Sequence, residues 1–314
     1  MRVLVTGARG FIGRVLSSRL LAEGLDGQAV TQLVAADLSL AGLPQDDRLR
    51  GIEGSIAEPE VLQRALAEPV DGVFHLASLP GGASERDPDL GRRINLEATL
   101  ALIDRLRAQA NVARLVYAST VAVYGESLPQ VVDEATPVAP AMTYGAHKLA
   151  SEILIADASR RGWIAGLSLR LPGVVARPGD GAGLVSAFMS RLLWQLRAGE
   201  PVQLPVTADG TAWWISVQAC VDNLLQAAKM DPQAAGSRRV LQMPALWLSM
   251  RQVIDAAAQV WGADRPALVS HALQLQVQRL FASYPPLHTP LAESLGLRHD
   301  GSAQALLLRA TQPH

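Results

Sequence analysis

Tyr144 and Lys148 stand four residues apart in the stretch Met142-Thr143-Tyr144-Gly145-Ala146-His147-Lys148. On a helix that spacing puts both side chains on one face, one turn apart. A free phenol titrates at about 10, and a neighbouring positive charge favours the phenolate. Tyr144 could then take a proton near neutral pH. Leu149, Ile153 and Leu154 follow with helical spacing and predict a buried stripe on the same helix. A Tyr-x-x-x-Lys pair alone recurs by chance on many helix surfaces, so its meaning depends on what the rest of the chain builds around it.

A second chemical signal lies at the start of the chain. The apolar run Arg2–Val5 ends in Thr6-Gly7-Ala8-Arg9-Gly10-Phe11-Ile12-Gly13, and a helical pattern follows with Val15, Leu16, Leu20 and Leu21 on one face. Strand, glycine turn, helix is the context in which such glycines hold a phosphate. Gly7 permits the turn, Gly10 lets the backbone approach a pyrophosphate, and Gly13 lets the helix pack close to the strand. The first helical N–H groups, at Phe11, Ile12 and Gly13, face the anion at the positive end of the helix dipole. The next strand, Gln32–Ala36, closes on Asp37, 37 − 13 = 24 positions beyond the last glycine. A carboxylate there accepts hydrogen bonds from the adenosine ribose and repels a 2′-phosphate, so the expected cofactor is NAD.

The elements that must position these groups alternate. A strand and turn cover Gly51–Ile56, a helix runs from about Pro59 to Ala67, and a buried strand spans Val73–Ser78, leading into Pro80-Gly81-Gly82-Ala83. His75, inside that strand, reads as a core histidine with its hydrogen bonds satisfied. A helix from about Leu90 to Gln109 carries Asn95 in an apolar face, and a strand over Arg114–Thr120 ends in the hydroxyls of Ser119 and Thr120. Another strand, Ala165–Leu171, stops at Pro172-Gly173. This cadence predicts an α/β fold, a Rossmann-type doubly wound parallel sheet. Gly7, Asp37, Ser78, Thr120 and Pro172 all fall at carboxyl ends of strands, where such sheets bind ligands.

Beyond Gly173 the pattern loosens into a loop, Arg177 to Gly183, and a helix from about Leu184 to Ala198. Trp213–Val217 and a helix Cys220–Met230 read as a return to the main sheet. A helix around Met250–Trp261 and a packed helix at Ala303–Leu308 complete the chain. The expected division is an NAD-binding domain over 1–172, with about 213–243 returning to it, and a smaller substrate-binding domain over 173–314.

The 314 residues are 49% hydrophobic and 18% charged with a formal net charge of -1. That is a globular composition, with no basic stripe for nucleic acid and none for a membrane surface. One cysteine, Cys220, rules out an internal disulfide and a cysteine-based zinc site, and no metal is expected. The opening lacks the charged and apolar regions of a secretory leader. We therefore expect a cytoplasmic protein.

Taken together, Thr6-Gly7-x-x-Gly10-x-x-Gly13, His75-Leu76-Ala77, Asn95, Ser119–Gly125, Tyr144-x-x-x-Lys148 and Leu169-Arg170-Leu171-Pro172 resemble the extended short-chain dehydrogenase/reductase family over nearly the whole chain. The resemblance implies that Thr120 completes a catalytic set with Tyr144 and Lys148. It implies that Leu76, Ala77, Ser78 and Leu171 line the cofactor groove, that Asn95 helps position helix and loop around the cofactor, and that Lys148 contacts the nicotinamide ribose. It also implies a homodimer through the helices carrying Asn95 and Tyr144.

The loops His75–Ser78 with Gly81–Glu85, Ser159–Gly162, and Leu169–Pro172 with Val175–Gly179 are similar to the D-erythronate dehydrogenase type. Its implied reaction is NAD-dependent oxidation of the C2 hydroxyl of a small sugar acid. Ser78 and the amides around Gly81 and Gly82 are candidates to hold the carboxylate, with Arg177 a further one, and Trp214 is as much a core residue as a pocket wall. Two residues depart from the pattern: Gly173, where a larger residue is expected, and Ser55, where relatives usually place an aspartate. The alternative is a nucleotide-sugar epimerase or dehydratase. Those enzymes resemble the first half, and they usually carry Asn at the Gly173 position and an Arg where this chain reads Thr211-Ala212-Trp213. A non-catalytic NAD sensor is the third class, and it would have no need of Tyr144 as a base.

Overall fold

All five residues of Arg2–Thr6 (β1) are buried, so this strand is covered on both faces, as the strands of a parallel sheet sandwiched by helices must be. The computed structural model describes residues 1–179 and 185–312. Two compact units divide the chain.

The first unit comprises Met1–Val123, Pro140–Arg170 and Val221–Leu241. It is built on a seven-stranded sheet in the order β10-β6-β5-β4-β1-β2-β3. Here β2 is Gln32–Asp37, β3 Leu49–Glu53, β4 Gly72–His75, β5 Arg114–Thr120, β6 Ala165–Leu171 and β10 Val240–Gln242. β1 pairs in parallel with β2 and with β4, as do β2 with β3 and β4 with β5. Helices α1 (Phe11–Glu23), α2 (Pro59–Ala65), α3 (Gly81–Arg86), α4 (Pro88–Arg92), α5 (Ala98–Arg107) and α6 (Thr143–Arg160) join the strands. On one face Leu4, Val34, Val73 and Leu115 pack against Val61, Leu102, Leu106 and Ile155. This is the expected Rossmann-type topology.

α4 and α5 are joined through a π-helical turn at Arg93–Glu97, where Ala98 N–H reaches back five residues to the carbonyl of Arg93. A π turn displaces one carbonyl from the regular ladder. The predicted helix around Asn95 is therefore real but interrupted. β4 ends at His75, three residues short of the expected Ser78, although Leu76 N–H still reaches the Thr6 carbonyl of β1 at 3.1 Å.

The second unit takes Tyr124–Ala139, Leu171–Cys220 and the chain from Gln242 onward. Its three-stranded sheet runs β11-β9-β7, with β7 at Gly173–Val175, β9 at Thr211–Ser216 and β11 at Leu246–Ser249. A two-stranded sheet pairs β8 (Val202–Leu204) with β12 (Val269–His271). The helices are α7 (Ala187–Ala198), α9 (Met250–Trp261), α10 (Leu275–Phe281), α11 (Pro290–Ser294) and α12 (Ala303–Ala310), and α8 (Val217–Lys229) leads from β9 toward β10. The core joins Phe188, Leu192, Leu196, Trp214, Val253, Ala257 and Leu307.

Two expectations change here. Trp213–Val217 does not rejoin the main sheet: β9 pairs with β7 and β11, whereas α8 from Val221 and then β10 do return to the first unit. An apolar run reports burial but not which sheet receives it. The chain also resumes a strand, β7, immediately after Pro172. Residues 180–184 of the loop expected after Arg177 lie outside the described residues. No described helix is long and apolar enough to cross a membrane.

Candidate active site

At the carboxyl end of β1 the backbone turns at Gly7, with φ 71°, and a Cβ there would lie 2.7 Å from the backbone nitrogen of Ala77. At Gly13 a Cβ would come within 2.1 Å of the Gly7 carbonyl oxygen. Both positions therefore exclude any side chain. Gly10 N–H closes the turn on Gly7 C=O at 3.0 Å, and α1 starts one residue later. The opening amides of α1 precede its first i→i−4 bond, Arg14 N–H to Gly10 C=O, and lie at the positive end of the helix dipole, where an anion binds. Asp37, at the end of β2, accepts from Arg9 N–H at 2.9 Å and from Leu38 N–H at 2.7 Å. Its carboxylate is thus fixed at the lip of the glycine turn. A bare turn, a helix N-terminus and an oriented carboxylate fit a dinucleotide. Ser55 instead accepts from Ala57 N–H at 3.3 Å and shapes a turn.

Tyr144 and Lys148 occupy the first two turns of α6. Glu85 on α3 accepts the Thr143 N–H and holds the helix start. A Cβ on Gly145 would meet the Ala122 carbonyl at 2.6 Å, so Tyr144 is drawn against the turn that follows Thr120. On its other side Tyr144 Cβ would lie 3.8 Å from a Cβ on Gly81. The start of α6 therefore lies against Ala122, two residues after Thr120, and against Gly81 at the start of α3. Lys148 is buried, its Nζ 5.7 Å from the Tyr144 ring centroid and 4.6 Å from that of Tyr117, and it donates to Ala118 C=O at 2.8 Å. Burial pulls its pKa down to about 7, opposed by the charge of Glu152.

The two hydroxyls at the end of β5 part company, because neighbouring strand residues point to opposite faces. Ser119 is buried and donates to Glu152, whereas Thr120 is half-buried and its Oγ1 accepts only from Ala122 N–H, at 3.1 Å, among the bonds resolved here. Glu152 also holds Arg170 in a fork, Nε at 3.0 Å and Nη2 at 2.8 Å, with both side chains buried. Sequence reading missed this cluster. A charged residue within the apolar strand Ala165–Leu171 was the signal, since buried arginine requires a partner.

The stripe expected at Leu149, Ile153 and Leu154 faces the wrong way: Ile153 is 62% exposed and the other two are half-buried. The buried face of α6 is instead Gly145, Lys148, Ser151, Glu152, Ile155, Ala158 and Ser159. Its polar members satisfy one another or neighbouring strands, a pattern that hydropathy cannot see.

Asn95, at the π turn, is buried. Its Oδ1 accepts from Leu79 N–H at 2.8 Å, and its amide donates to Leu79 C=O at 3.0 Å and to Ser84 Oγ at 3.2 Å. It acts by holding the Leu76–Pro80 turn, where Leu76, Ala77 and Ser78 are half-buried. His75 is buried between Thr6 (2.7 Å) and Thr99 (3.0 Å), as the core reading anticipated.

In the second unit, Trp214 is fully buried with its indole N–H on Leu248 C=O at 3.1 Å, so it is a core residue and not a pocket wall. Arg177 has its backbone pinned to α7 by Ser190 Oγ and the Trp194 indole. Leu171 ends β6, half-buried. Gly173 explains its own departure from the family pattern: a Cβ would sit 2.8 Å from the Trp213 carbonyl oxygen and 3.2 Å from Met189 Cε.

Residues 3–238 match the model of the NAD dependent epimerase/dehydratase family. A D-erythronate dehydrogenase from Cupriavidus necator is 34% identical over 308 residues, covering 96% of this chain and 95% of its own. A second, from Haemophilus influenzae, is 28% identical over 309 residues and covers 98% of each. Among solved structures, a nucleoside-diphosphate-sugar epimerase from Agrobacterium tumefaciens superposes with a TM-score of 0.90 at 30% identity, over 98% of this chain and 92% of that one.

Proposed function

The chain belongs to the NAD dependent epimerase/dehydratase family, and within it we propose that it oxidises the C2 hydroxyl of a small sugar acid, D-erythronate becoming 2-oxo-tetronate. The observation carrying this reading is the likeness to two D-erythronate dehydrogenases over nearly the full length of all three chains. The reaction type is supported by Tyr144, whose Cβ lies beside Gly81 at the start of α3 and whose ring lies 5.7 Å from the Lys148 amine.

NAD, when bound, supplies the acceptor for the hydride leaving C2. The rest falls to side chains. Thr120 Oγ1 hydrogen-bonds the substrate hydroxyl, and Tyr144, as phenolate, takes its proton. Lys148 as ammonium favours that phenolate. The ion pair and the neutral phenol–amine pair hold the same number of protons, so the base can form without a proton entering or leaving the site. Ser78 and the amides of Gly81 and Gly82 meet the carboxylate. Asp37 selects NAD over a 2′-phosphorylated cofactor.

A nucleotide-sugar epimerase is the second reading, favoured by the epimerase superposition. Against it, Thr211-Ala212-Trp213 offers no cation for a diphosphate. A panel of four-carbon sugar acids and nucleotide diphosphate sugars separates them. We expect NAD reduction with D-erythronate, and saturable binding of a uridine or thymidine diphosphate sugar without reduction of NAD by any acid would overturn the proposal.

The reading extends to a homodimer. α5 and α6 pack together and leave Leu100 and Ile153 in solvent, 37% and 62% exposed. Sedimentation should give twice the chain mass, and Ile153→Arg should halve it. A monomeric parent would refute the assembly.

A further inference from the structure

Directions of hydrogen bonding fix the protonation of His75 without reference to any titration. Ala77 N–H can only donate, and it points at Thr6 Oγ1 at 3.3 Å. The single proton of Thr6 is then free for His75 Nδ1 at 2.7 Å. At the far side Thr99 Oγ1 lies 3.2 Å from the carbonyl oxygen of Asn95, which can only accept, so Thr99 donates there. Thr99 must therefore receive from His75 Nε2, 3.0 Å away. The bonds run one way, from Ala77 N–H through Thr6, His75 and Thr99 to Asn95 C=O, each hydroxyl both giving and receiving.

We propose that His75, as its neutral Nε2–H tautomer, is a positioning residue that holds one end of the Leu76–Pro80 turn while the Asn95 side chain holds the other. Ala77 is tied through His75, and Leu79 is tied on both its N–H and its C=O by Asn95. Ser78 is the residue between the two ties. The turn is also pressed on the dinucleotide cradle, because the Ala77 nitrogen is the atom that a Cβ on Gly7 would strike. The register agrees: Thr6, His75 and Tyr117 lie side by side on β1, β4 and β5. The carbonyl at which the chain ends belongs to the π turn, and it also receives Ser151 Oγ from α6 at 3.2 Å. The proposal rests on the reading of this groove as the dinucleotide site.

An imidazolium could not take this place. Its second N–H would face Thr6 Oγ1, and the Thr6 proton would lose its acceptor. Burial and the nearby Lys148 charge act in the same direction, lowering the His75 pKa to about 3. Of the groups around the imidazole, Lys148 on α6 is the charged one acting on it, the Tyr117 ring on β5 lies beside it, tilted by 38° at 5.5 Å between centroids, and Thr6 and Thr99 are neutral.

The test needs no substrate. Imidazole nitrogen shifts in the labelled full-length protein should report a bare Nδ1 and a protonated Nε2, unchanged from pH 5 to 9 (~2 units below to above neutrality, where a free imidazole would titrate). A protonated Nδ1, or a titration in that window, overturns the proposal. His75→Phe keeps a ring of similar bulk and removes both bonds. In that variant amide exchange should quicken at Ala77 but not at Leu79, and NAD binding by calorimetry should weaken roughly tenfold. Equal protection at Ala77 in the folded variant also overturns it. If His75→Phe fails to fold, Thr99→Val takes its place, since losing the acceptor of Nε2–H should shift the nitrogen signals toward the other tautomer, and unshifted signals would refute the chain. Were the sugar-acid reading wrong, the nitrogen shifts and Ala77 exchange would stand unchanged, so the two failures are distinguishable.

Discussion

Tyr144→Phe should lower turnover of D-erythronate with NAD by ~1,000-fold or more, within the range contributed by a positioned acid or base. The substitution removes one oxygen and leaves the ring, which packs by Gly81. The proposed mechanism uses that oxygen on the substrate hydroxyl, so NAD affinity should stay within about twofold, which separates loss of chemistry from loss of binding. Single-turnover absorbance of the reduced cofactor measures the first quantity and calorimetry the second. Normal turnover in this variant would remove Tyr144 from the mechanism. A parallel loss of NAD affinity would show that the phenol holds the ligand and does not act as base.

Glu152→Ala should cost about 3–5 kcal/mol of stability, the usual result of stranding one partner of a buried ion pair. The carboxylate is 3% exposed and satisfies both Arg170 and Ser119. Its removal takes away the carboxylate on which the buried Arg170 guanidinium is forked. A fall in melting temperature on the order of 10 °C follows from that energy. Replacing both ions, Glu152→Met with Arg170→Met, should recover most of the loss, because the desolvation penalty then disappears with the charges. Urea unfolding of the parent, Glu152→Met, Arg170→Met and the double variant closes the cycle. A single-variant cost below about 1 kcal/mol, typical of an exposed pair, would mean that the cluster is solvated in solution.

Much of the site was legible from residue spacing, for reasons that are local. Gly7 and Gly13 announce a turn because only glycine survives contacts of 2.7 and 2.1 Å, and Asp37 follows because β2 must end there. Tyr144 and Lys148 share a face by helical arithmetic alone. The misreadings concern partners far apart in sequence. Glu152 and Arg170 look like surface residues until Ser119 and the sheet close over them, which is why the buried face of α6 was assigned to Leu149, Ile153 and Leu154. β9 was sent to the wrong sheet because Trp213 and Trp214 are equally apolar in either. The π turn at Asn95 left no trace, since its cause is the tertiary demand for a carbonyl facing Ser151 and Thr99.

The inverted polarity of α6 limits how this enzyme can be hardened by engineering. Exchanging interior ions for hydrocarbon is an ordinary route to a higher melting point, and Lys148→Met would follow it, ridding the fold of an amine that burial already drives toward neutrality. The same exchange removes the charge beside Tyr144. Under the proposed mechanism, tolerance to heat and the capacity to move a proton draw in this helix on the same few side chains.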